Sequence, residues 1–283
     1  MARNNQRRVG SAQKEQKKAA PKTPTTSVLD FVTPTEFVEL PSQGRFYNEA
    51  HPLHNQETIE IRHMTAKDED ILTSQTLLKK GVAIEKLIQN VIADKTIDST
   101  TLTTGDRNAI IVAARISGYG AEYNTNVVCP SCMTKGTYSF DLNDRSTYFG
   151  DNHDDLDITE TENGTFLTLL PSTNVRAEIR VLTGADESSI TETVQKNKKR
   201  SAFESNLTSQ IQKFVVSLNE ESDPQVINKF VEMMPAYDAR HVRKVYRAIT
   251  PTVDLSQDFR CSDCGHEQKL EVPFTTDFFW PNR

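Results

Sequence analysis

Long apolar runs are missing from this sequence of 283 residues. No stretch approaches the ~18 consecutive apolar residues that a membrane helix needs, which argues against a helical membrane span. The N-terminus lacks the apolar core of a secretory signal, so the expectation is a protein made and kept in the cytosol. The short motifs of common catalysis are missing too. There is no G-x-S-x-G, no H-E-x-x-H and no glycine-rich phosphate loop, and the histidines are scattered at positions 51, 54, 63, 153, 241 and 266. These absences argue against an enzyme. Apolar residues are only 36% of the chain, so a real core is expected to coexist with solvated segments.

Cysteine is scarce but ordered. The only four are Cys129, Cys132, Cys261 and Cys264, arranged as two C-x-x-C turns. In a reducing compartment such pairs are metal ligands or redox centres far more often than structural disulfides. Two thiolates at this spacing can point at one ion, and a structural zinc takes four in a tetrahedron. A redox dithiol of the thioredoxin kind should lie between a strand and a helix, whereas both turns here lead into alternating, strand-like segments. A four-sulfur zinc also leaves no open position for a substrate. The expected cofactor is therefore one structural Zn²⁺ per chain, with His266 outside the ligand set. What needs explaining is the gap of 128 residues between the two turns.

Charge is unevenly spread. Residues 1–26 carry seven basic groups against Glu15, a local +6, although the whole chain is at −6. With almost nothing to bury, this segment is expected to be a disordered basic arm. The acidity of the remainder argues against a main surface for nucleic acid; the arm alone could serve as an anchor.

Taken in order, residues 27–148 begin with a strand at Phe37-Val38-Glu39-Leu40 and a tight turn at Pro41-Ser42-Gln43-Gly44. A short strand at Ile59 and Ile61 follows, with Thr65 as an N-cap. A helix is expected through Leu72, Leu77 and Leu78 to Gly81. A second carries Ile84, Leu87, Ile88, Val91 and Ile92 at helical spacing, and a third runs from about Asp106 to Ile116. An acidic linker at 149–157 lacks the central glycine of a calcium loop. Residues 158–283 open with a hairpin turning at Asn163-Gly164.

This second half echoes the first. Leu40-Pro41-Ser42 recurs as Leu170-Pro171-Ser172. Glu60-Ile61-Arg62 and Thr65, Asp68, Glu69 recur at an offset of 118 as Glu178-Ile179-Arg180 and Thr183, Asp186, Glu187. From about Leu102 to Leu142 the register is 132, which pairs Cys129 with Cys261, Cys132 with Cys264, Asp106 with Asp238 and Arg115 with Arg247. The aspartates are expected to cap helices and the arginines to make structural ion pairs. An apolar stripe at Leu207, Ile211, Phe214, Val215 and Leu218 reads as one helix. The extra residues of the second half are placed around Lys198-Lys199-Arg200. The long excursion from Gly44 to Thr58 is unique to the first half, and unique loops are where partner contacts tend to sit. The fold class is thus α+β: two similar halves from an internal duplication, each with short strands, a helical segment and a zinc knuckle. One ion clasps the knuckles together.

The stretch Phe37-Val38-Glu39-Leu40-Pro41-Ser42-Gln43-Gly44-Arg45-Phe46-Tyr47, with Ile59-Glu60-Ile61-Arg62-His63-Met64-Thr65-Ala66-Lys67-Asp68-Glu69-Asp70, resembles the T4-type contractile-tail phage baseplate proteins of the central hub. The L-P-S-x-G-x-x-Y turn and the T-x-x-D-E-D helix start carry the likeness across roughly residues 30–145. The resemblance implies a hub subunit in the virion tail baseplate, assembled in the host cytoplasm, or a non-virion factor that assembles the hub. In either role it acts by contact with other baseplate and tail hub proteins. A zinc-ribbon nucleic-acid binder using the basic arm is the other reading. The resemblance supplies no catalytic residues. Partner contact is expected at Pro41, Gly44, Phe46 and Tyr47, with Gly44 the most portable position. The aromatic end at Phe278, Phe279 and Trp280 must pack on its own core or plug into a partner.

Overall fold

The computed structural model describes residues 33–151, 153, 156–200, 206–272 and 278–279, apart from the side chains of 194–200 and 206. The basic arm, the centre of the acidic linker, the Lys198-Lys199-Arg200 side chains and Trp280 lie outside the described residues.

Strands β1 (Thr35–Glu39) and β2 (Thr58–Arg62) pair antiparallel in the register Val38↔Ile59. Their alternation buries Val38, Ile59 and Ile61 on one face. Helices α1 (Ala66–Thr73), α2 (Gln75–Lys80), α3 (Ala83–Val91) and α4 (Thr104–Tyr119) follow. The single helix expected up to Gly81 is two, because Ser74 leaves helical backbone angles and caps α2. Then come β3 (Glu122–Val128) and β4 (Lys135–Asp141), a hairpin around the first C-x-x-C, and β5 (Ser146–Tyr148).

The second half opens on β6 (Ile158–Glu160), β7 (Phe166–Leu169) and β8 (Arg176–Ile179). The first connection is the five-residue turn Thr161–Thr165, closed by the Thr161 N–H on the Thr165 carbonyl at 2.8 Å, rather than a two-residue turn. Helices α5 (Gly184–Arg200) and α6 (Asn206–Phe214) lead directly into β9 (Val215–Leu218), and the sheet order is β6-β7-β8-β9, all antiparallel. The apolar stripe expected as one helix therefore splits: Val215 and Leu218 lie in a strand, where β-branched Val215 and Val216 fit, and Leu207 is exposed. Helices α7 (Pro224–Met233) and α8 (Ala236–Ile249), strand β10 (Thr252–Asp254) and a second knuckle hairpin, β11 (Ser256–Arg260) with β12 (Glu267–Glu271), complete the described chain.

The same set of contacts occurs in both halves. Thr65 N–H and hydroxyl both donate to Asp68 at 2.8 Å, and Arg62 grips Asp68 with two nitrogens at 2.7 and 2.9 Å. Thr183 and Arg180 do the same to Asp186, with both arginine contacts at 2.7 Å. Ile61 bridges to Ile92 where Ile179 pairs with Val215. Between these bridges the offset grows from 118 to 123, and by the cysteines it is 132. The offset thus changes in steps, by five residues between these bridges and by nine more up to the cysteines.

From Pro34 on the chain forms one compact unit. Three joints tie the halves within it. At the first, Thr104 N–H donates to Leu182 O at 3.1 Å and Gly184 N–H to Leu102 O at 2.9 Å, so the starts of α4 and α5 bond reciprocally. The others are crossovers. After its knuckle hairpin, the first half sends β5 across to pair with β10. The chain end places Phe278 and Phe279 in the core of the first half, beside Tyr123. These exchanges bring the two knuckles face to face.

Neither of the matched aspartates caps its own helix through its side chain. Thr103 caps α4, while Asp106 and Asp238 accept bonds from the Leu-Pro-Ser turns. Arg115 makes no ion pair among the described residues. Buried, it donates to the carbonyls of Phe278 (2.5 Å), Gly120 (2.6 Å) and Glu122 (3.1 Å).

Candidate metal centre

Each C-x-x-C is the turn of a β-hairpin with the same bonding. The Cys129 N–H donates to Thr134 O and the Met133 N–H to Cys129 O, both at 2.9 Å. In the other hairpin the Cys261 N–H donates to His266 O at 2.9 Å and the Gly265 N–H to Cys261 O at 3.0 Å. This geometry puts the fourth residue after the first cysteine in the left-handed region, Met133 at φ 60° and Gly265 at φ 70°. Glycine adopts it freely, whereas a methionine there is disfavoured by about 1 kcal/mol.

The sulfurs pair across the two hairpins. Cys129 Sγ lies 3.7 Å from Cys264 Sγ, and Cys132 Sγ lies 3.7 Å from Cys261 Sγ. All four fall within 4.8 Å of one another. A tetrahedron with metal–sulfur arms of about 2.3 Å has edges of about 3.8 Å, so the set fits a tetrahedral four-sulfur metal site. The cysteines are free, far from the ~2.05 Å of a disulfide.

One side of the cluster is dry and the other wet: Cys129 and Cys261 are buried, Cys132 and Cys264 exposed. The dry side is closed by Phe259, Val127, Tyr138 and Leu270. Tyr138 sits edge-on to Phe259 at 5.3 Å and donates its hydroxyl to Asp258 O at 2.7 Å. Farther down, the Gln257 amide accepts from Asp141 N–H at 3.2 Å and donates to Asp141 O at 2.6 Å, imitating one rung of a strand pair. Hydrogen bonds with the Thr134 hydroxyl and backbone bring the Cys132 thiol down to about 6. At Cys264 the His266 backbone bond also acts to lower the thiol, but desolvation and the neighbouring sulfurs prevail and push it up to about 12. Sulfurs this close compete for charge, and a bound cation removes the competition. His266 bonds Gln268 at 3.2 Å and stays out of the cluster.

The residues expected to face a partner are placed differently. Pro41, Gly44 and Tyr47 are buried in the chain itself. A Cβ on Gly44 would meet Gln56 N and Leu53 O at 2.4 Å, so this glycine closes the 44–58 excursion onto its own backbone. Tyr47 donates to Asp106 Oδ2 at 2.5 Å and accepts from Thr103 N–H at 3.1 Å. Phe46 is half-buried against Phe166 of the other half, at 6.1 Å. Phe278 and Phe279 fill the protein's own core, as the Arg115 bond to the Phe278 carbonyl requires. The reach of Asp106 to Ser42 and Tyr47 went unread in the sequence. Its signal was there, since both Leu-Pro-Ser turns have an aspartate in matching register.

A family model described as T4 bacteriophage base plate protein matches residues 33–280. The chain belongs to that family. The match spans both halves, including the second, which the initial likeness reached only through the repeat. No curated protein and no solved structure matches this baseplate chain. Among its described residues no helix is long and apolar enough to cross a membrane.

Proposed function

We propose that this chain is a structural, non-enzymatic protein of the contractile-tail baseplate. It is a component of the central hub that works by contact with neighbouring tail proteins, and one Zn²⁺ on Cys129, Cys132, Cys261 and Cys264 clasps its two halves. Family membership supports the baseplate setting. The observation that carries the clasp is the cross-pairing of sulfurs at 3.7 Å, each pair drawing one cysteine from each half. The halves are read as copies of one duplicated unit. The repeated Arg–Thr–Asp grip, the repeated knuckle bonds and the reciprocal crossovers support this.

A four-sulfur ion is saturated and offers nothing to a substrate, so its role is to hold shape. Structural zinc binds small peptides with about 10–16 kcal/mol of apparent free energy, comparable with the stability of a whole domain. Losing it should first loosen the facing hairpins, which otherwise rest on Tyr138, Phe259 and Gln257. Purified protein is expected to contain one zinc per chain by elemental analysis, and Cys261→Ser/Cys264→Ser to lose it. A full complement of metal in that variant would overturn the shared site. Mass spectrometry of purified particles tests the hub role: the chain should be present in the finished tail. Its absence there, with hub assembly still dependent on it, would make it an assembly factor instead.

A further inference from the structure

We infer that the edge of β1 left open by the described residues is a docking site for an extended segment of another tail protein, which adds to it as an antiparallel strand. This goes beyond the clasp and does not depend on a bound metal. The comparison of β1 with β7 carries it.

Both strands sit beside an equivalent neighbour, β1 on β2 with Val38↔Ile59, β7 on β8 with Thr168↔Ala177. Both run into a Leu-Pro-Ser turn. On its other edge β7 is covered by β6, with Thr159↔Leu167. The corresponding edge of β1 has no strand among the described residues. The direction of its backbone groups follows from the ladder. His63 N–H donates to Pro34 O at 2.9 Å and Leu40 N–H to Glu57 O at 2.8 Å. Because antiparallel pairs alternate, Glu36 and Val38 bond toward β2 while Thr35, Phe37 and Glu39 direct N–H and C=O away from it. Leu170 N–H on Val175 O sets the same parity in β7, where Leu167 faces β6. Phe37 therefore stands where Leu167 stands, but without the covering strand.

The side chains agree. Phe37 is 72% exposed, more than any other large apolar residue in the described chain, whereas its counterpart Leu167 is half-covered. An open edge carrying an exposed aromatic is a template that proteins normally blunt. Glutamates 36 and 39 flank it, Glu39 also accepting from the Thr147 hydroxyl at 3.0 Å. Glu36 Oε1 is shielded without a hydrogen-bond partner among the described residues, and the His63 ring nitrogen Nε2 lies 3.9 Å from it. The fitting occupant is thus a short extended segment with an apolar residue beside Phe37 and lysine or arginine next to it. Main-chain bonds would give affinity and the flanking charges register.

The test is Phe37→Pro in the full-length chain. Proline there removes one outward N–H and no rung of the β2 ladder, which edge strands tolerate. The purified variant should melt within about 5 °C of the parent. When supplied to a phage lacking its own copy, it should lower the yield of infectious particles by about tenfold or more. Phe37→Lys, fully exposed and repelled by a basic segment, should do the same, and it stands in should the proline variant unfold. Wild-type yield from Phe37→Lys would overturn the inference. Amide exchange gives a second reading: the Phe37 and Glu39 amides should exchange quickly in the isolated chain and slowly in purified tails. Protection already present in dilute isolated chain would mean the chain covers its own edge. Protection that rises with its concentration would mean a second copy does. Either result overturns the proposal.

Discussion

The two Leu-Pro-Ser turns are held by the same device with opposite electrostatic outcomes. In the first half Asp106 accepts from Ser42 N–H at 2.9 Å and from the Ser42 and Tyr47 hydroxyls at 2.5 Å. In the second, Asp238 accepts from Ser172 N–H at 2.7 Å, Thr173 N–H at 3.1 Å and the Thr173 hydroxyl at 2.9 Å. Both carboxylates are closed to solvent. Yet burial pushes the Asp106 carboxyl above the ordinary carboxylate range despite its hydrogen bonds, while at Asp238 the Ser172 and Thr173 bonds outweigh a smaller desolvation and hold it below. The difference lies in what covers them. The 44–58 excursion lays Tyr47 over Asp106, and the shorter connection after the second Leu-Pro-Ser turn has no such lid. One motif can thus anchor a turn with a carboxyl that resists ionisation or with a carboxylate that favours it, according to the length of a neighbouring loop.

The lid itself gives the largest expected contrast. Gly44→Ala would drive a Cβ into Gln56 N and Leu53 O at φ 73°. We expect a loss of about 3 kcal/mol or more from overpacking and left-handed strain, read as a clear fall in melting temperature. The matching position is Asn174, at φ 52°. Asn174→Gly should change stability by no more than about 0.5 kcal/mol, since asparagine already tolerates that region. Equal costs at the two positions would mean that the excursion contributes nothing to holding the first turn.

Much of this was legible in the sequence because it repeats. Two C-x-x-C turns at one offset announced the cysteine cluster, and T-x-x-D-E announced both helix starts. What could not be read was how the halves interleave. Phe278 and Phe279 look like sticky residues at a chain end until the Arg115–Phe278 bond shows them packed in the opposite half. Leu207 to Leu218 keeps helical spacing although the chain turns to strand at Val215, because β8 offers an edge that local propensity cannot see. Gly44 looked like a surface position because loops usually are; its burial depends on a backbone approach from Leu53 and Gln56 that no spacing encodes.

A middle-sized contrast separates the two aspartates directly. At Asp238 both oxygens receive a backbone N–H, so the amide of Asp238→Asn must face one donor with another, at about 2 kcal/mol. At Asp106 one oxygen receives only hydroxyls, which can turn and accept, so Asp106→Asn should cost about 1 kcal/mol or less. Their pH dependence should run in opposite senses. The Asp238 contribution is present above the ordinary carboxylate pKa of about 4 and fades as pH falls, because its folded pKa is depressed. The Asp106 contribution is complete below about 4 and is lost as pH rises through its elevated folded value. Urea unfolding of both variants at pH 4.5 and pH 8 checks this. The Asp106→Asn deficit should shrink at the higher pH, and parallel slopes would remove the electrostatic distinction.

The smallest contrast concerns the two Arg–Thr–Asp grips, which differ by one side chain. Asp68 takes an additional bond from the Asn90 amide; at Asp186 no fifth bond stands beside those from Arg180 and Thr183 among the described residues. Burial works against both carboxylates. The bonds to Asp68, from Arg62 first, then Thr65 and Asn90, overcome it and bring Asp68 down to about 2. Its stabilisation is therefore full above about 4 and lost between there and about 2. Asn90→Ala would strip the first grip to the form of the second. The Asp68 carboxyl, followed by NMR titration, should then move up toward the ordinary range, with a stability cost of about 1 kcal/mol above pH 5 that fades in acid. An unmoved Asp68 would show that Arg62 and Thr65 set its proton affinity alone. The two grips would then be equivalent in chemistry as well as in shape.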